Sequence, residues 1–302
     1  MTGFMVDLNP SMGCLFIGID LSLVLYGGVC AQAVYYFWHY RNDGLVLKTL
    51  VVMAWVLQSA QIATDIHQLW YYLIRGHGNI LALTVLDPAT GGQSLLSHAL
   101  MVLVQWYFLH RIWLLLKGTR VKCFYAGFAA FVSLMTLGTS IWVVYDCFIE
   151  KSVTTAVRGG LVPGIWSLSA IFVTDLYITC ILCYALWGCR NGFQQTDGIL
   201  TRLVIYAINR GILLCLASFV AIVLWVIDSK GGTTYIEAIS APGQGTLYAN
   251  SLLAVLNVRN HLGQLEATRS DHNASELPFV TIRKDSRMVT VADSTCGAKI
   301  EV

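Results

Sequence analysis

Six long apolar stretches constrain this chain more than any other feature of its sequence. They cover residues 13–38, 49–72, 95–116, 123–148, 161–187 and 200–227, and each is bounded by charged residues, glycine or proline. A helix needs about 20 mostly apolar residues to cross the hydrocarbon core of a bilayer. Backbone groups in lipid must bond within their own segment, and these runs are too long for barrel strands. Each stretch therefore predicts a transmembrane helix.

A seventh segment, residues 235–256, is more polar because it contains a glutamate, a proline and several amide side chains. Such a segment is costly against lipid but is tolerated where other helices shield it. We therefore expect an all-α fold, a polytopic bundle of seven transmembrane helices over residues 13–256. Residues 1–12 then form a short N-terminal segment, and residues 257–302 form a polar, mostly disordered tail.

The composition agrees with a chain whose outer surface faces lipid. Hydrophobic residues make up 56% of it and charged residues only 12%, whereas soluble domains are nearer 25% charged. The net charge of +2, with no basic run accompanied by stacking aromatics, does not indicate a nucleic-acid partner. The expected partner is the lipid bilayer, in the plasma membrane or another membrane of the secretory pathway.

Lysine and arginine in the short loops predict the orientation, because cytoplasmic loops carry the excess of these residues. With the N-terminus outside, the inner loops would contain Arg41, Lys48, Lys117, Arg120, Lys122, Arg190 and Arg202. The outer loops would contain Arg75, Lys151, Arg158 and Lys230. We therefore predict an extracellular N-terminus and a cytoplasmic tail, for which the sequence indicates no particular partner.

One side of the second stretch carries a polar stripe. Gln58, Gln61, Asp65 and Gln68 recur at steps of three, four and three residues, which places them on one face of a helix. A charged group at the bilayer centre costs about 2.5–3.5 kcal/mol on insertion scales. We therefore expect this face to point into the bundle or toward water.

Polar residues on the other stretches extend this stripe into a predicted intramembrane cluster. The further members are Asp20, His98, Gln105, Asp175 and Arg210. At about 1.5 Å per residue, Asp65 falls in the outer half of the membrane, as do Asp20 and His98. Asp175 and Arg210 fall near the middle at similar heights. We hypothesise that these two neutralise each other across the fifth and sixth helices.

Three interpretations of this cluster remain open: contacts between helices, a polar cavity for a small ligand, and a conduction path. Contacts between helices are worth about 0.6 kcal/mol each on average. Asp20, Asp65 and His98 lie on separate helices without a supporting motif, so no metal site is predicted. No nucleotide-binding or hydrolase motif is present in the sequence. We therefore expect no catalytic residue, no cofactor and no enzymatic activity.

Two motifs near the end of the apolar region resemble a known family. They are Tyr206-Ala-Ile-Asn-Arg-Gly211 and Tyr248-Ala-Asn-Ser-Leu-Leu-Ala-Val-Leu-Asn-Val-Arg259. Together with the order of the spans over about residues 15–260, they are similar to fungal, basidiomycete seven-helix membrane proteins that carry a domain-of-unknown-function label. The resemblance implies the architecture and a fungal source, but no ligand. It also implies that Asn250, Asn257 and Arg259 matter at the inner end of the last helix, where they could cap and anchor it.

Three classes of function fit these observations. A receptor-like sensor predicts an outward-opening pocket, closed on the inner side, that is lined by Asp20, Asp65, His67 and His98. A transporter or channel predicts a polar path that continues through Asp175, Arg210 and Asn250 to the cytoplasm. A scaffold predicts a filled core. We favour the sensor on its seven helices and predicted orientation, although architecture alone does not determine function.

The glycosylation acceptor Asn273-Ala-Ser275 tests the predicted orientation. On a cytoplasmic tail it stays unmodified, so glycosidase treatment of the protein from eukaryotic cells should leave its mass unchanged. The similar triplet Asn9-Pro-Ser11 is blocked by its proline, so any glycan would report on Asn273. A sugar at Asn273 would place the tail in the lumen and contradict the orientation.

Overall fold

Seven α-helices make up the part of the chain that the structure describes. This computed structural model describes residues 12–77, 85, 87–116, 119–149, 161–188, 194–231 and 239–275. The helices are α1 (Cys14–His39), α2 (Leu45–Leu69), α3 (Pro88–Leu115), α4 (Thr119–Ile149), α5 (Leu161–Gly188), α6 (Gln194–Gly231) and α7 (Ala241–Ser275). A π-helical turn, Trp70–Arg75, extends α2. The fold is all-α, as the sequence predicts.

The helices pack in chain order and close into a ring. Each helix contacts the next one, and α7 returns to contact α1. In addition, α3 packs against α5 and α7, and α2 packs against α7. The third and seventh helices are therefore enclosed by other helices on more sides than the rest.

Side-chain contacts show that successive helices alternate in direction. Ser22 in α1 meets Thr246 in α7, and Tyr40 just after α1 meets the carbonyl of Asn257, so α1 and α7 run parallel. Gln58 meets Thr246, and Gln61, further along α2, meets the earlier carbonyl of Pro242, so α2 runs antiparallel to both. We call the end of the bundle at which α1 begins the N-face, and the opposite end the C-face.

The start of α3 is fixed by local chemistry. Asp87 adopts an extended backbone conformation, and its carboxylate accepts a hydrogen bond from the backbone N–H of Ala89 at 3.3 Å. Pro88 follows at the first helical position, where its missing N–H costs nothing. This start lies well before residue 95, at which the apolar pattern placed the span. The difference arises because a capped helix extends through the polar residues that precede its apolar part.

The outer surface of the bundle is apolar. Val24, Val162 and Tyr184, for example, are each about three-quarters exposed. Among the described residues, five segments are long and apolar enough to cross a membrane: Cys14–His39, Leu45–Arg75, Gly127–Tyr145, Val162–Ala185 and Ile205–Asp228. Large apolar groups on the outside of so many long helices belong in lipid. The chain is therefore a multi-pass membrane protein.

The two α-helices outside this set are α3 and α7, which carry more polar side chains. They are also the helices that their neighbours enclose most. Enclosure explains their composition, because a polar helix face that packs against other helices avoids contact with hydrocarbon.

The C-terminal boundary of the last helix corrects the sequence prediction. We expected the disordered tail to begin at residue 257, but α7 continues to Ser275. Extending an existing helix avoids the cost of nucleation, so α7 can continue through the polar residues 257–275. Residues 1–11 and 276–302, which include most of the predicted flanking segments, lie outside the described residues.

Glycine allows α7 to approach α2 and α3 closely. A Cβ atom at Gly245 would lie 2.9 Å from Ser97 Oγ and 3.2 Å from Gln61 Cδ, and it would collide with the amide oxygen of Gln61. Gln61 cannot move away freely because its Nε2 donates to the Pro242 carbonyl at 2.9 Å. At Gly243, two residues earlier, a Cβ atom would meet nothing within 4 Å.

We therefore expect Gly245→Ala to destabilise the protein by about 1–3 kcal/mol through overpacking, although alanine favours the helix. The matched control Gly243→Ala should be neutral or slightly stabilising. Both can be measured by thermal unfolding of the purified protein in detergent. Equal midpoints for the two variants would show that α7 does not pack this closely on α2.

Candidate functional site

The polar stripe of α2 lies inside the bundle, on the face that meets α1, α3 and α7. Gln58, Gln61 and Asp65 are fully buried, and Gln68 nearly so. The first two hold α7: Gln58 Nε2 donates to Thr246 Oγ1 at 2.8 Å, and Gln61 Nε2 donates to the Pro242 carbonyl. These two glutamines therefore act as interhelical contacts.

Ser22 of α1 completes the junction between three helices. Its hydroxyl donates to the same Pro242 carbonyl at 3.0 Å and lies 2.8 Å from Thr246 Oγ1. Because α1 and α2 both bond the first turns of α7, the N-face end of this helix is held in place without a ligand.

Asp65 differs from its neighbours on the stripe. Its side chain is fully buried, yet neither carboxylate oxygen has a hydrogen-bond partner among the described residues. The Nε2 atoms of Gln68 and Gln244 are also buried without a described partner. The N-face half of the interior therefore holds polar groups that contacts between the described parts of the helices leave unsatisfied.

A second polar network lies deeper, near the middle of the bundle. Asp175 Oδ2 accepts a hydrogen bond from the Tyr248 hydroxyl, and its Oδ1 accepts one from Gln105 Nε2 at 3.3 Å. These contacts join α3, α5 and α7. In contrast to Asp65, both oxygens of Asp175 are bonded.

Arg210 enters this network from α6. Its Nε donates to Ser251 Oγ at 3.4 Å, and its guanidinium carbon lies 3.5 Å from the centre of the Phe108 ring, a cation–π contact. Ser251 in turn donates to the Tyr248 carbonyl at 2.8 Å. Arg210 is thus tied to α7 and α3.

Asp175 and Arg210 attract each other electrostatically across α5 and α6, as we hypothesised. They are not in direct contact as a salt bridge among the described residues, because each is hydrogen-bonded to a different residue of α7. The hydroxyls of Tyr248 and Ser251, one turn apart, lie on the face of α7 that the two groups share. Spacing along single helices placed both groups at one depth but could not show that α7 carries their partners.

His98 takes part in a separate contact between α3, α4 and α5. Its Nδ1 lies 2.8 Å from the Ser94 carbonyl, and its Nε2 lies 3.2 Å from Ser167 Oγ. The Thr139 hydroxyl donates to the same Ser167 oxygen at 2.9 Å. The structure therefore places His98 in an interhelical contact rather than beside Asp65.

Some predicted polar residues face outward. Asp20 is exposed on α1, since the buried face of that helix is formed by other residues such as Ile19 and Ser22. It does not join the interior cluster, and its position about 9 Å from the start of α1 keeps it near the N-face. Tyr206 and Asn209, from the motif at residues 206–211 of α6, are also exposed, whereas Arg210 of the same motif points inward.

The motif at residues 248–259 joins α7 to α1. Asn250 Nδ2 donates to the Leu25 carbonyl at 2.9 Å, and Asn257 Nδ2 donates to the Gln32 carbonyl at 2.9 Å. Gln32 Nε2 also donates to Asn250 Oδ1 at 3.2 Å. These residues anchor α7 along its whole packed length against α1.

Arg259 lies at the C-face end of these contacts between α7 and α1. Its Nη2 lies 2.6 Å from Asp43 Oδ2, in the loop between α1 and α2, and its guanidinium covers the Tyr40 ring at 4.7 Å. The Tyr36 hydroxyl donates to the same Asp43 oxygen at 2.7 Å. Burial alone would raise the pKa of Asp43, but the Arg259 and Tyr36 hydrogen bonds lower it below its ordinary value. Burial alone would lower the pKa of Arg259, but the hydrogen bond and the charge of Asp43 raise it above its ordinary value.

Sequence analysis missed two acidic residues that hold loops to helices. Asp43 is one. The other is Asp87, whose Oδ2 lies 3.2 Å from His67 Nδ1 and whose N–H donates to the Tyr72 hydroxyl at 3.1 Å. The pattern Asp-Pro before an apolar run is a helix-start signal that could have indicated the second. Among the described residues, no three His, Cys, Asp or Glu side chains lie together as a metal site.

Comparison with known families adds a domain but no activity. Residues 171–261 match the family described as a family of unknown function (DUF6534). This range includes Asp175, Arg210 and the motif that ends at Arg259, but not Asp65. It is narrower than the resemblance over about residues 15–260 that the motifs indicated. None of the curated proteins matches the chain.

The Asp43–Arg259 contact provides a test of the packing between α7 and the loop that follows α1. We expect Asp43→Asn and Arg259→Gln each to lower stability by about 1–3 kcal/mol, and the double variant to lose less than the sum because the two groups share one interaction. Because the pKa of Asp43 is lowered, its contribution is present above the ordinary value of 3.8 and is lost as the pH falls through the lowered pKa. The Asp43→Asn effect should therefore disappear in strong acid.

The wild-type protein, the two single variants and the double variant are unfolded by denaturant in bicelles at neutral and acidic pH. The differences in unfolding free energy measure the loss of stability in each variant. Arg41→Gln, at an exposed position in the same loop, is the control and should change little. Strictly additive losses would show that Asp43 and Arg259 do not interact in the membrane.

Proposed function

We propose that this protein is a receptor-like sensor rather than an enzyme, with seven spans, an extracellular N-terminus and a cytoplasmic C-terminus. All seven α-helices have at least 25 residues, enough to cross the hydrocarbon core at 1.5 Å per residue. In this orientation the N-face is extracellular. We also propose that the chain belongs, over about residues 15–260, to the fungal seven-helix family that its motifs resemble.

The observation that carries the sensor proposal is the unpaired carboxylate of Asp65 in the N-face half. A residue that serves only as an interhelical contact has partners on other helices, as Gln58 and Gln61 have. Asp65 has none among the described residues. A buried charge without a partner is costly, so its presence favours a binding role over a structural one.

The interior below this level favours a closed site over a conduction path. Both carboxylate oxygens of Asp175 are bonded within the protein, although Gln105 Oε1 and Arg210 Nη2 nearby are buried without a described partner. From the middle to the C-face, the space between α1, α2, α3 and α7 is filled by buried apolar side chains such as Leu252, Leu256 and Ile112. Asn250 faces α1, where it bonds to backbone and side chain. Packed side chains near the middle of the bundle would therefore stop a ligand that entered from the N-face.

A sensor also needs a connection to the cytoplasmic side, and α7 can supply it. This helix is bonded to α2 at Pro242, to α1 at Asn250 and Asn257, and to the first loop at Arg259. A small movement at its N-face end would change contacts at its C-face end because the helix between them is continuous. Such an element can have two arrangements whose populations a ligand shifts.

Hydrogen–deuterium exchange of the purified protein in nanodiscs tests this coupling without a ligand. Asp65→Asn changes the charge at the proposed site, so we expect exchange at the loop of residues 40–44 and beyond Asn257 in α7 to change by about threefold or more. The matched control Asp20→Asn removes an exposed carboxylate from α1 and should leave these segments unchanged. Changes confined to the surroundings of residue 65 would favour a scaffold.

Transport is the alternative that the same preparation can examine. Proteoliposomes should show no more proton, sodium or potassium flux than protein-free liposomes. Flux above that background, altered by Arg210→Gln, would support a path through the bundle and contradict the sensor.

A further inference from the structure

The carboxyl group of Asp65 has no basic partner that the structure describes. It is fully buried and accepts no described hydrogen bond. Six of the basic side chains described on the surrounding helices contact other groups: Lys48 contacts Arg41, His67 Asp87, His98 Ser94 and Ser167, Arg111 Tyr107, Arg210 Ser251, and Arg259 Asp43. No lysine or arginine occurs in α1. The described side chains therefore leave Asp65 without the group that would balance its charge when it is ionised.

The polar atoms around Asp65 restrict the chemistry of that group. Both oxygens of Asp65 are acceptors, and Gln61 Oε1, one helical turn away on the same face, is a further buried acceptor without a described partner. Three acceptors with one negative charge match a primary ammonium, which has three N–H donors and one positive charge. Such charge-assisted hydrogen bonds are the strong ones in a low-dielectric interior.

A metal ion fits the same atoms less well. Calcium takes six to eight oxygen ligands and magnesium an octahedral set, usually with more than one carboxylate or with several waters. Asp65 is the one described carboxylate that we assign to this site, and the described residues include no group of three metal-binding side chains. A single buried charge therefore favours a monovalent organic cation.

Two donors on the N-face side add a second requirement. The Nε2 atoms of Gln68, one turn from Asp65 toward the N-face, and of Gln244 in the first turn of α7 are buried without described partners. They can donate to an oxygen acceptor on the ligand, such as a hydroxyl or a carbonyl. An acceptor group near the ammonium would satisfy them.

We infer that the N-face half of the bundle, at Asp65, Gln68 and Gln244, binds a small primary ammonium compound that also carries an oxygen acceptor, as an amino alcohol does. Asp65 binds the ammonium and the two glutamine amides bind the oxygen. This inference rests on the proposed sensor function, which is tested by exchange without any ligand, so either can fail separately.

Thermal unfolding of the full chain in phosphatidylcholine nanodiscs tests the inference, because a compound that binds the folded state raises the unfolding midpoint. The probes are ethanolammonium, n-propylammonium, tetramethylammonium and sodium chlorides, at equal ionic strength and up to about 50 mM. Ethanolammonium should raise the midpoint most and n-propylammonium less. Tetramethylammonium, which has the charge but no N–H, and sodium should have no effect.

Variants assign the effect to named groups. Asp65→Asn should weaken ethanolammonium binding at least roughly tenfold, whereas Asp20→Asn should leave it unchanged. Gln68→Leu keeps the carboxylate, and it should weaken ethanolammonium but not n-propylammonium. This second variant keeps the inference testable if Asp65→Asn does not fold.

Three results would overturn the inference: no shift with either primary ammonium, an equal shift with sodium, or unchanged binding by Asp65→Asn. A further arm replaces part of the phosphatidylcholine with phosphatidylethanolamine. A midpoint raised by this lipid and lost in Asp65→Asn would assign the ammonium to a lipid headgroup, whereas a response to soluble ethanolammonium alone would assign it to a free compound.

Discussion

The structure depends on one constraint, that a polar group inside a bilayer must find its partner within the protein. The last helix meets this requirement for most of the interior. Its Pro242 carbonyl and Thr246 hydroxyl receive hydrogen bonds from α1 and α2, Tyr248 and Ser251 bond the charged groups of α5 and α6, and Arg259 pairs with Asp43. The most polar of the seven segments is therefore the one that the other helices are organised around.

This constraint also explains how much the sequence could predict. The number of helices and the all-α class follow from the apolar stretches, whose number and length are read directly from the sequence. The face of α2 follows from spacing, since Gln58, Gln61, Asp65 and Gln68 share one side of a helix and are buried together. Sequence reasoning misplaced Asp20, because periodicity shows which residues share a face but not which way an isolated residue points.

Contacts between segments distant in sequence were beyond this method. Five helices lie between Asp43 and the helix that carries Arg259, and neither the loop nor the motif alone indicates that the two residues meet. The extension of α7 to Ser275 was missed for another reason: a disordered tail was predicted from polarity, whereas a helix already formed extends readily into polar residues. Partners and helix ends depend on packing that a single sequence does not display.

The central claim is that Asp65 is a buried carboxylate without a partner among the described residues, and that packed side chains of the helices close the bundle below it. The most direct measurement is an experimental density map of the protein in lipid nanodiscs at a resolution that shows side chains. The account predicts seven helices across the bilayer, with Asp65 between α2, α3 and α7 and no lysine, arginine or histidine of the chain bonded to it. A map in which Asp65 faces lipid, or pairs with a basic side chain of the same protein, would contradict the account.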